Sequence, residues 1–389
     1  MKEKGVRPHI KEWEKGRPWK NLQGPGAGFL KDQSGVILIV VLWIVAILSV
    51  FILGLGRRAS VDLALTQYQR EKFKAGHTAI AGIVYAMACI RKDSLAPETR
   101  IFDTLYQRGV KLDENQAVED LFSQVSSGDG YFEIRHWEGG EDGAAERVFG
   151  FEDEESKINV NLLSPQNYKV LSALITYFGF EEDAADVIAS AVIDWKDSDD
   201  NTFNAPYGAE RDFYQHLGPP RDCKNYPFES VEEMRLVRGM TDEIFKKIKP
   251  YITVYPSSGR FQVNLETAPR PVLTALARAV AGNQTNTEKE DADGVVEKIL
   301  QNRLGEDGRA ATADDRIFDI NQLSLNTEER IVALMMYQNM ARTSDYFRVS
   351  VNGFSGPGGA LSKIEAVVSR SNLSILYWKR HEPFARAEE

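Results

Sequence analysis

The chain is poor in the residues on which most catalytic and redox chemistry draws. It has only two cysteines in 389 residues, Cys89 and Cys223, 134 positions apart. A disulfide-rich scaffold and a multi-cysteine metal site are excluded, while a single bridge between the two stays open. The five histidines (His9, His77, His136, His216, His381) fall in separate segments, with no helical pair spaced to hold zinc. A G-x-S-x-G elbow and a G-x-x-x-x-G-K-[ST] phosphate loop are both missing. No enzyme is expected from such a composition. Positive charge is short too: the net charge of −10 argues against binding nucleic acid through general phosphate attraction. With 43% hydrophobic and 27% charged residues, the chain is neither disordered throughout nor a multi-span transporter. Its length suits roughly two or three domains.

What charge there is lies unevenly. Residues 1–35 hold eight Lys/Arg against four acids, +4, which leaves −14 for residues 36–389. This first stretch has no apolar periodicity, contains Pro8, Pro18 and a Gly-Pro-Gly-Ala-Gly run, and reads as an unpacked basic leader. From Val36 to Gly56 follow 21 residues without one charge. As a helix rising about 1.5 Å per residue they match a hydrocarbon core of about 30 Å, and no polar stripe marks a buried soluble helix. A membrane span over residues 36–56 is expected, with lysines before it favouring a cytoplasmic amino terminus. No small-residue cleavage site follows the apolar run, but Gly35 precedes it. Cleavage between Gly35 and Val36 would leave the apolar helix at the new amino terminus, an arrangement that resembles a type IV pilin-like leader. The helix is expected to continue over residues 57–93, with Leu65, Tyr68, Phe73, Ile80, Val84 and Met87 on its apolar face. Most pilins carry a Glu five residues into the mature chain; here that position is Val40.

Strand-like runs stand near both ends of the remaining chain. Tyr131–Trp137 and Arg147–Phe151, with a short run at Ile158–Asn161, precede a helical region; Tyr346–Phe354, Lys363–Arg370 and Leu373–Lys379 follow it. The expected fold is α+β: a pilin-like long N-terminal helix plus an antiparallel sheet, formed by residues 94–161 and 341–389. A large all-α domain, residues 162–340, is inserted between strands. That insertion holds a faint repeat, Val160-Asn161-Leu162 against Val263-Asn264-Leu265, each followed by a proline and a Val-Leu-x-Ala-Leu segment. Between the copies, Ser230 with Glu233 has capping-box spacing and Thr241 opens a second helix. The unit looks like a degenerate helix-hairpin-helix at Val237–Thr241 that lacks the second glycine of DNA-binding versions. A polar stretch over 282–294 reads as an exposed loop.

The densest polar constellation is Asp194–Asn201 followed by Tyr207–Tyr214. Alternate carboxylates with a later Glu can supply the hard oxygens that calcium takes, and a divalent cation relieves their mutual repulsion. The expected structural Ca2+ ligands are Asp197, Asp199, Glu210 and Asp212; the spacing is not that of an EF-hand. Glu152–Glu155 is a second acidic run, read as a solvated turn.

Taken in order, the Gly35/Val36 junction without a mature Glu, DEESKINVN (153–161), AVIDWKDSDD with YGAERDFY, YPFESVEEMRLVRGMT with PYITVYP, and GRFQVNLETAP resemble the K-type minor pseudopilin family of type II secretion. The resemblance runs from residue 35 over nearly the whole chain. It implies a single-pass bacterial inner-membrane protein with a periplasmic C-terminal domain, cleaved by a prepilin peptidase. It implies a tip position on a short pseudopilus, where the chain would help initiate assembly for export across the outer membrane. The implied partners are I-type and J-type minor pseudopilins, other pseudopilins, and secreted substrates or the outer-membrane channel; nucleic acid is not among them. Calcium in the helical domain is likewise a family property, and the acidic loop is its natural match. The alternative from a different class is a membrane-anchored extracytoplasmic DNA receptor using the helix-hairpin-helix units.

Overall fold

The computed structural model describes residues 34–95, 121–139, 145–282, 287–303 and 318–381. The leader at 1–33 lies outside the described residues. The chain divides into two units, residues 1–66 and 67–389.

In the first unit, α1 (Ser34–Leu95) begins at the edge of the apolar run, and its residues from Gly35 to Thr66 are all exposed. A helix apolar on every side has no aqueous face to present, and this one is long and apolar enough to cross a membrane. Val40 lies within it, among exposed aliphatic neighbours. The same helix continues into the second unit as the sequence pattern expects, but it buries a different face.

The second unit is a two-faced antiparallel sheet interrupted by a helical domain. Its first strands are β1 (Val125–Ser127), β2 (Gly130–Gly139), β3 (Ala145–Phe149) and β4 (Glu152–Asp153). The helical domain then runs through β5 (Ile158–Asn159), α2 (Lys169–Tyr177), α3 (Glu182–Lys196), α4 (Arg211–Gln215), α5 (Asp242–Ile248) and β6 (Ile252–Thr253). It continues with β7 (Val263–Asn264), α6 (Arg270–Ala281), α7 (Lys289–Arg303), α8 (Thr327–Gln338) and β8 (Met340–Ala341). The chain returns to the sheet as β9 (Tyr346–Phe354), β10 (Leu361–Ser369) and β11 (Ile375–His381). Sheet order is β1-β2-β9-β10-β11, with β3 against β2 and β4 against β9. The α+β class expected from the sequence is the one observed.

Period-2 alternation divides β9 cleanly. Phe347, Val349 and Val351 are buried and Arg348, Ser350 and Asn352 half-buried on the opposite face. The apolar face meets α1 through Ala79, Ile83, Ala86 and Ile90, with Ala75 against Gly353. This corrects the expected apolar face: Leu65, Tyr68, Phe73, Ile80 and Val84 are exposed. The reason is steric. The helix approaches so closely that a Cβ on Gly353 would collide with the Ala75 and Ala79 backbone, and one on Gly82 with Val351. Only small residues fit where helix and sheet approach most closely, and a hydrophobicity pattern weights small residues least.

Inside the insertion the faint repeat becomes a structural one. β5 pairs parallel with β6, Ile158 opposite Ile252, and β7 pairs parallel with β8, Val263 opposite Met340. The strands match Asn264 with Asn159, each accepting the N–H two residues on, which is two places before the Asn161 that the sequence repeat aligns with it. Asn161 is buried, donates to the Phe228 and Val254 carbonyls and accepts the Phe228 N–H. Asn264 is buried, donates to Asp153 and Ser344 and accepts the Glu266 N–H. Each amide thus satisfies backbone or side-chain groups that no helix or strand serves. Ser230 and Glu233 form the expected capping box, but the element they open, Val231–Leu236, is a 3-10 helix; Thr241 caps α5. Part of the polar 282–294 stretch is helical, since α7 begins at Lys289; residues 283–286 lie outside the described residues.

The acidic run at Glu152–Glu155 is a buried junction, which corrects the solvated-turn reading. Asp153 accepts hydrogen bonds from Ser344 (2.7 Å), Thr267 (2.5 Å) and Asn264 (3.2 Å), joining the sheet to the start of the second repeat. Glu154 is fully buried, and burial alone would neutralise it. Arg348 at 2.5 Å and Lys157 at 3.4 Å hold it well below the usual carboxylate range. Burial and the adjacent Asp153 push Glu155 the other way, up to about 7. Charged residues in turns are normally solvated; these are covered because the chain leaves and re-enters the sheet here.

Candidate metal centre

The site grows from the carboxyl end of α3. Asp194 lies between Ile193 and Trp195 in a buried helical stretch and is itself fully buried. Its Oδ1 accepts the Phe203 N–H at 2.7 Å and its Oδ2 the Ala209 N–H at 2.6 Å. One carboxylate therefore fastens both limbs of the 198–210 loop to the helix. The Gly208 position permits this approach: a Cβ there would collide with Asp194 Oδ2 and the Phe203 carbonyl. Arg238 secures the loop from outside, donating to the Pro206 and Gly208 carbonyls at 3.0 and 2.7 Å.

The fastened loop brings Glu210, at the N-cap of α4, back to Asp197, at the C-cap of α3. Asp194, Asp197 and Glu210 offer oxygens that all lie within 4.8 Å of one another. Glu210 is 5% exposed, and neither of its oxygens has a hydrogen-bond partner; Asp197 Oδ1 is buried without one as well. Burial, then Asp194 and Asp197, push the Glu210 carboxyl up to about 8. Burial also raises Asp194 to about 6, against the opposing effect of its two N–H donors. Lys196, the nearest ammonium in sequence, donates instead to the Leu163 carbonyl at 2.6 Å. Orphaned, converging carboxylate oxygens fit a hard divalent cation such as Ca2+, which takes oxygen ligands.

The expected ligands divide. Asp197 and Glu210 come together. Asp199 and Asp212 are exposed and stand outside the three-carboxylate group. Asp199 closes a local turn, accepting the Asn201 N–H at 2.8 Å, and Asp212 opens α4. Asp194 is the residue that spacing alone missed. Its signal is a carboxylate placed among Val192, Ile193 and Trp195, where an apolar residue belongs. The expected processing residues Gly35 and Val36 are exposed in the first turn of α1. Both cysteines are free thiols, Cys89 on the buried face of α1 and Cys223 half-buried beside α3.

A protein-family model described as type II secretion system (T2SS), protein K, matches residues 156–257, the stretch that holds the first repeat, the carboxylate group and the capping box. Curated relatives extend the match. Type II secretion system protein K of Pseudomonas aeruginosa is 27% identical over 262 residues, spanning 66% of this chain and 72% of that protein. The chain is similar to the type II secretion protein K family over this stretch and beyond it. The Aeromonas hydrophila protein K is 26% identical over 266 residues, 64% of this chain and 71% of that one. The fold agrees: a chain in the crystal structure of the GspK-GspI-GspJ complex from the enterotoxigenic Escherichia coli type 2 secretion system aligns with a TM-score of 0.55 at 17% identity. That alignment covers 82% of this chain and 99% of the other. These relatives are named as components of a secretion system, and among the described residues of this chain α1 is the one helix of membrane-spanning length and apolarity.

Proposed function

We propose that this chain caps the tip of the type II secretion pseudopilus and helps initiate its assembly, as a structural subunit without catalytic activity. The observation that carries the reading is the pairing of β4 with β9, Glu152 opposite Arg348. The sheet closes across the point where the helical domain enters and leaves, so the domain is a bulky addition to an intact pilin-like sheet. A filament repeats one contact from subunit to subunit, and such bulk favours a terminal place over an interior one. Val40 supports the same place. A charged mature amino terminus within lipid needs an acidic partner, and this helix offers a neighbour none at that position.

In this reading a prepilin peptidase cuts between Gly35 and Val36, the apolar stretch of α1 at 36–56 stays in the inner membrane, and residues 67–389 stand in the periplasm. The I-type and J-type minor pseudopilins are the partners, by analogy with the GspK-GspI-GspJ complex. Other pseudopilins, secreted substrates and the outer-membrane channel are further contacts of the assembled tip. A Ca2+ held by Asp194, Asp197 and Glu210 would neutralise the buried carboxylates and so stabilise the fold. The chain's own residues do the positioning: Asp194 fixes the loop, and Arg238 keeps Gly208 against it.

The DNA-receptor alternative fares poorly on the same geometry. At the hairpin, the Arg238 N–H donates to Tyr214 Oη at 3.2 Å and the Met240 N–H to the Val237 carbonyl at 3.2 Å. Gly239, at φ +82°, packs on Val187 and Ile188. Donors already engaged inside the domain do not cradle a phosphate. Co-expression of the full chain with tagged I-type and J-type pseudopilins tests the proposal. A stoichiometric ternary complex is expected; failure to co-purify with both would contradict the tip assignment.

A further inference from the structure

On the sheet face opposite α1, a cleft of about 500 Å3 opens between the strands and the inserted domain. Its sheet wall consists of alternate residues that period-2 geometry sends to one side. The register sets them in rows: Asn352–Lys363–His381, and beside it Ser350–Glu365–Lys379. The facing wall includes Glu232, Lys249 and Pro250. Six Lys or Arg side chains line the cleft, with His136 and His381, against three carboxylates, Glu152, Glu232 and Glu365. In a chain of net charge −10, this cleft has the opposite sign.

The cations are not all consumed internally. Arg348 and Lys157 are committed to the buried Glu154 and to Glu152, and Arg135 to Glu133 at 3.3 Å. Lys249 and Lys363 are each shared with one carboxylate, Glu232 at 2.9 Å and Glu365 at 2.6 Å. Lys379 forms no ion pair within 4 Å among the described residues, although its charge, with that of Lys249, helps to hold Glu232 below the usual carboxylate range. His381 Nε2 is shielded from solvent 3.2 Å from Glu365 yet completes no hydrogen bond. The two rows lie two residues apart along their strands, about 6.8 Å, the repeat of alternate side chains in any extended chain. Positive groups are spread along this repeat and across both walls rather than converging on one point, with Val231, Pro250 and Tyr377 between them.

We propose that this cleft binds an extended segment of a partner protein that carries acidic side chains at alternate positions. The inference is independent of the metal centre and goes beyond the tip assignment. The test uses the full chain in detergent micelles and a fluorescent synthetic peptide alternating glutamate with serine, followed by anisotropy at low salt. The peptide is expected to bind and its lysine-for-glutamate counterpart not to bind. The double variant Lys363→Ala/Lys379→Ala should weaken binding by about tenfold or more, with an unchanged melting temperature. Lys249→Ala, on the exposed facing wall, should weaken it independently and guards against a folding defect in the double variant. Absence of peptide binding, equal affinity in the variants, or displacement by equimolar inorganic phosphate would overturn the proposal; the last would mark a simple anion site.

Discussion

Gly353 of β9 lies directly beneath Ala79 of α1, with no room between them for a methyl group. This contact sets the distance between helix and sheet, so enlarging either residue should pry them apart. Gly353→Val and Ala79→Leu are each expected to destabilise the second unit by roughly 1–3 kcal/mol, the usual cost of overpacking. Denaturant unfolding followed by near-UV circular dichroism checks this. Phe73→Ala, at an exposed position of the same helix, should change stability by no more than about 0.5 kcal/mol.

That contrast also shows how far the sequence could be read. The charge-free run at 36–56, the strands at 346–354 and 363–370 and the Ser230/Glu233 box were legible because each is a local pattern. The buried face of α1 was not, because close approach selects alanine and glycine, which carry little hydrophobic signal. Asp194 was hidden for a related reason: its role exists only once Phe203 and Ala209 fold back onto it. Burial of Asp153 and Glu154 depends on Ser344 and Arg348, about two hundred positions away. Spacing along the chain carries no trace of such partners.

The carboxylate group predicts a calcium response. Added Ca2+ should raise the melting temperature of the full chain, and chelator should reverse the rise. Glu210→Gln should abolish the shift, since it removes the ligand charge whose oxygens lack other partners. Asp199→Ala and Asp212→Ala should retain it. Gly208→Ala should weaken it too, by displacing Asp194. Equal shifts in wild type and Glu210→Gln would refute the assignment of Glu210 as a ligand.

Between about pH 8 and 5, lowering the pH should stabilise the junction. Burial holds the folded Glu155 carboxyl at about 7, above its unfolded value near 4.5, and Glu266 behaves alike. The folded chain therefore binds more protons than the unfolded one between those values. Stability contributed by these groups is greatest below about pH 4.5 and is lost as pH rises through 7. Denaturant midpoints measured from pH 5 to 8 in saturating Ca2+ should fall with pH, and Glu155→Gln should flatten part of the slope. An unchanged slope in that variant would exclude Glu155 as its source.

Duplex DNA should not bind. In a gel-shift at low salt the full chain in micelles is expected to leave duplex migration unchanged, because the hairpin N–H groups are engaged and residues 36–389 carry −14. Salt-sensitive binding that survives Arg238→Ala would support the receptor reading instead.

Whether Val36 becomes the amino terminus bears most directly on the pseudopilin account. Intact-mass spectrometry of the membrane-extracted chain after co-expression with a prepilin peptidase measures it. The expected species begins at Val36, and Gly35→Leu should block its formation. A chain that keeps Met1 and the whole leader after exposure to active peptidase would contradict the account.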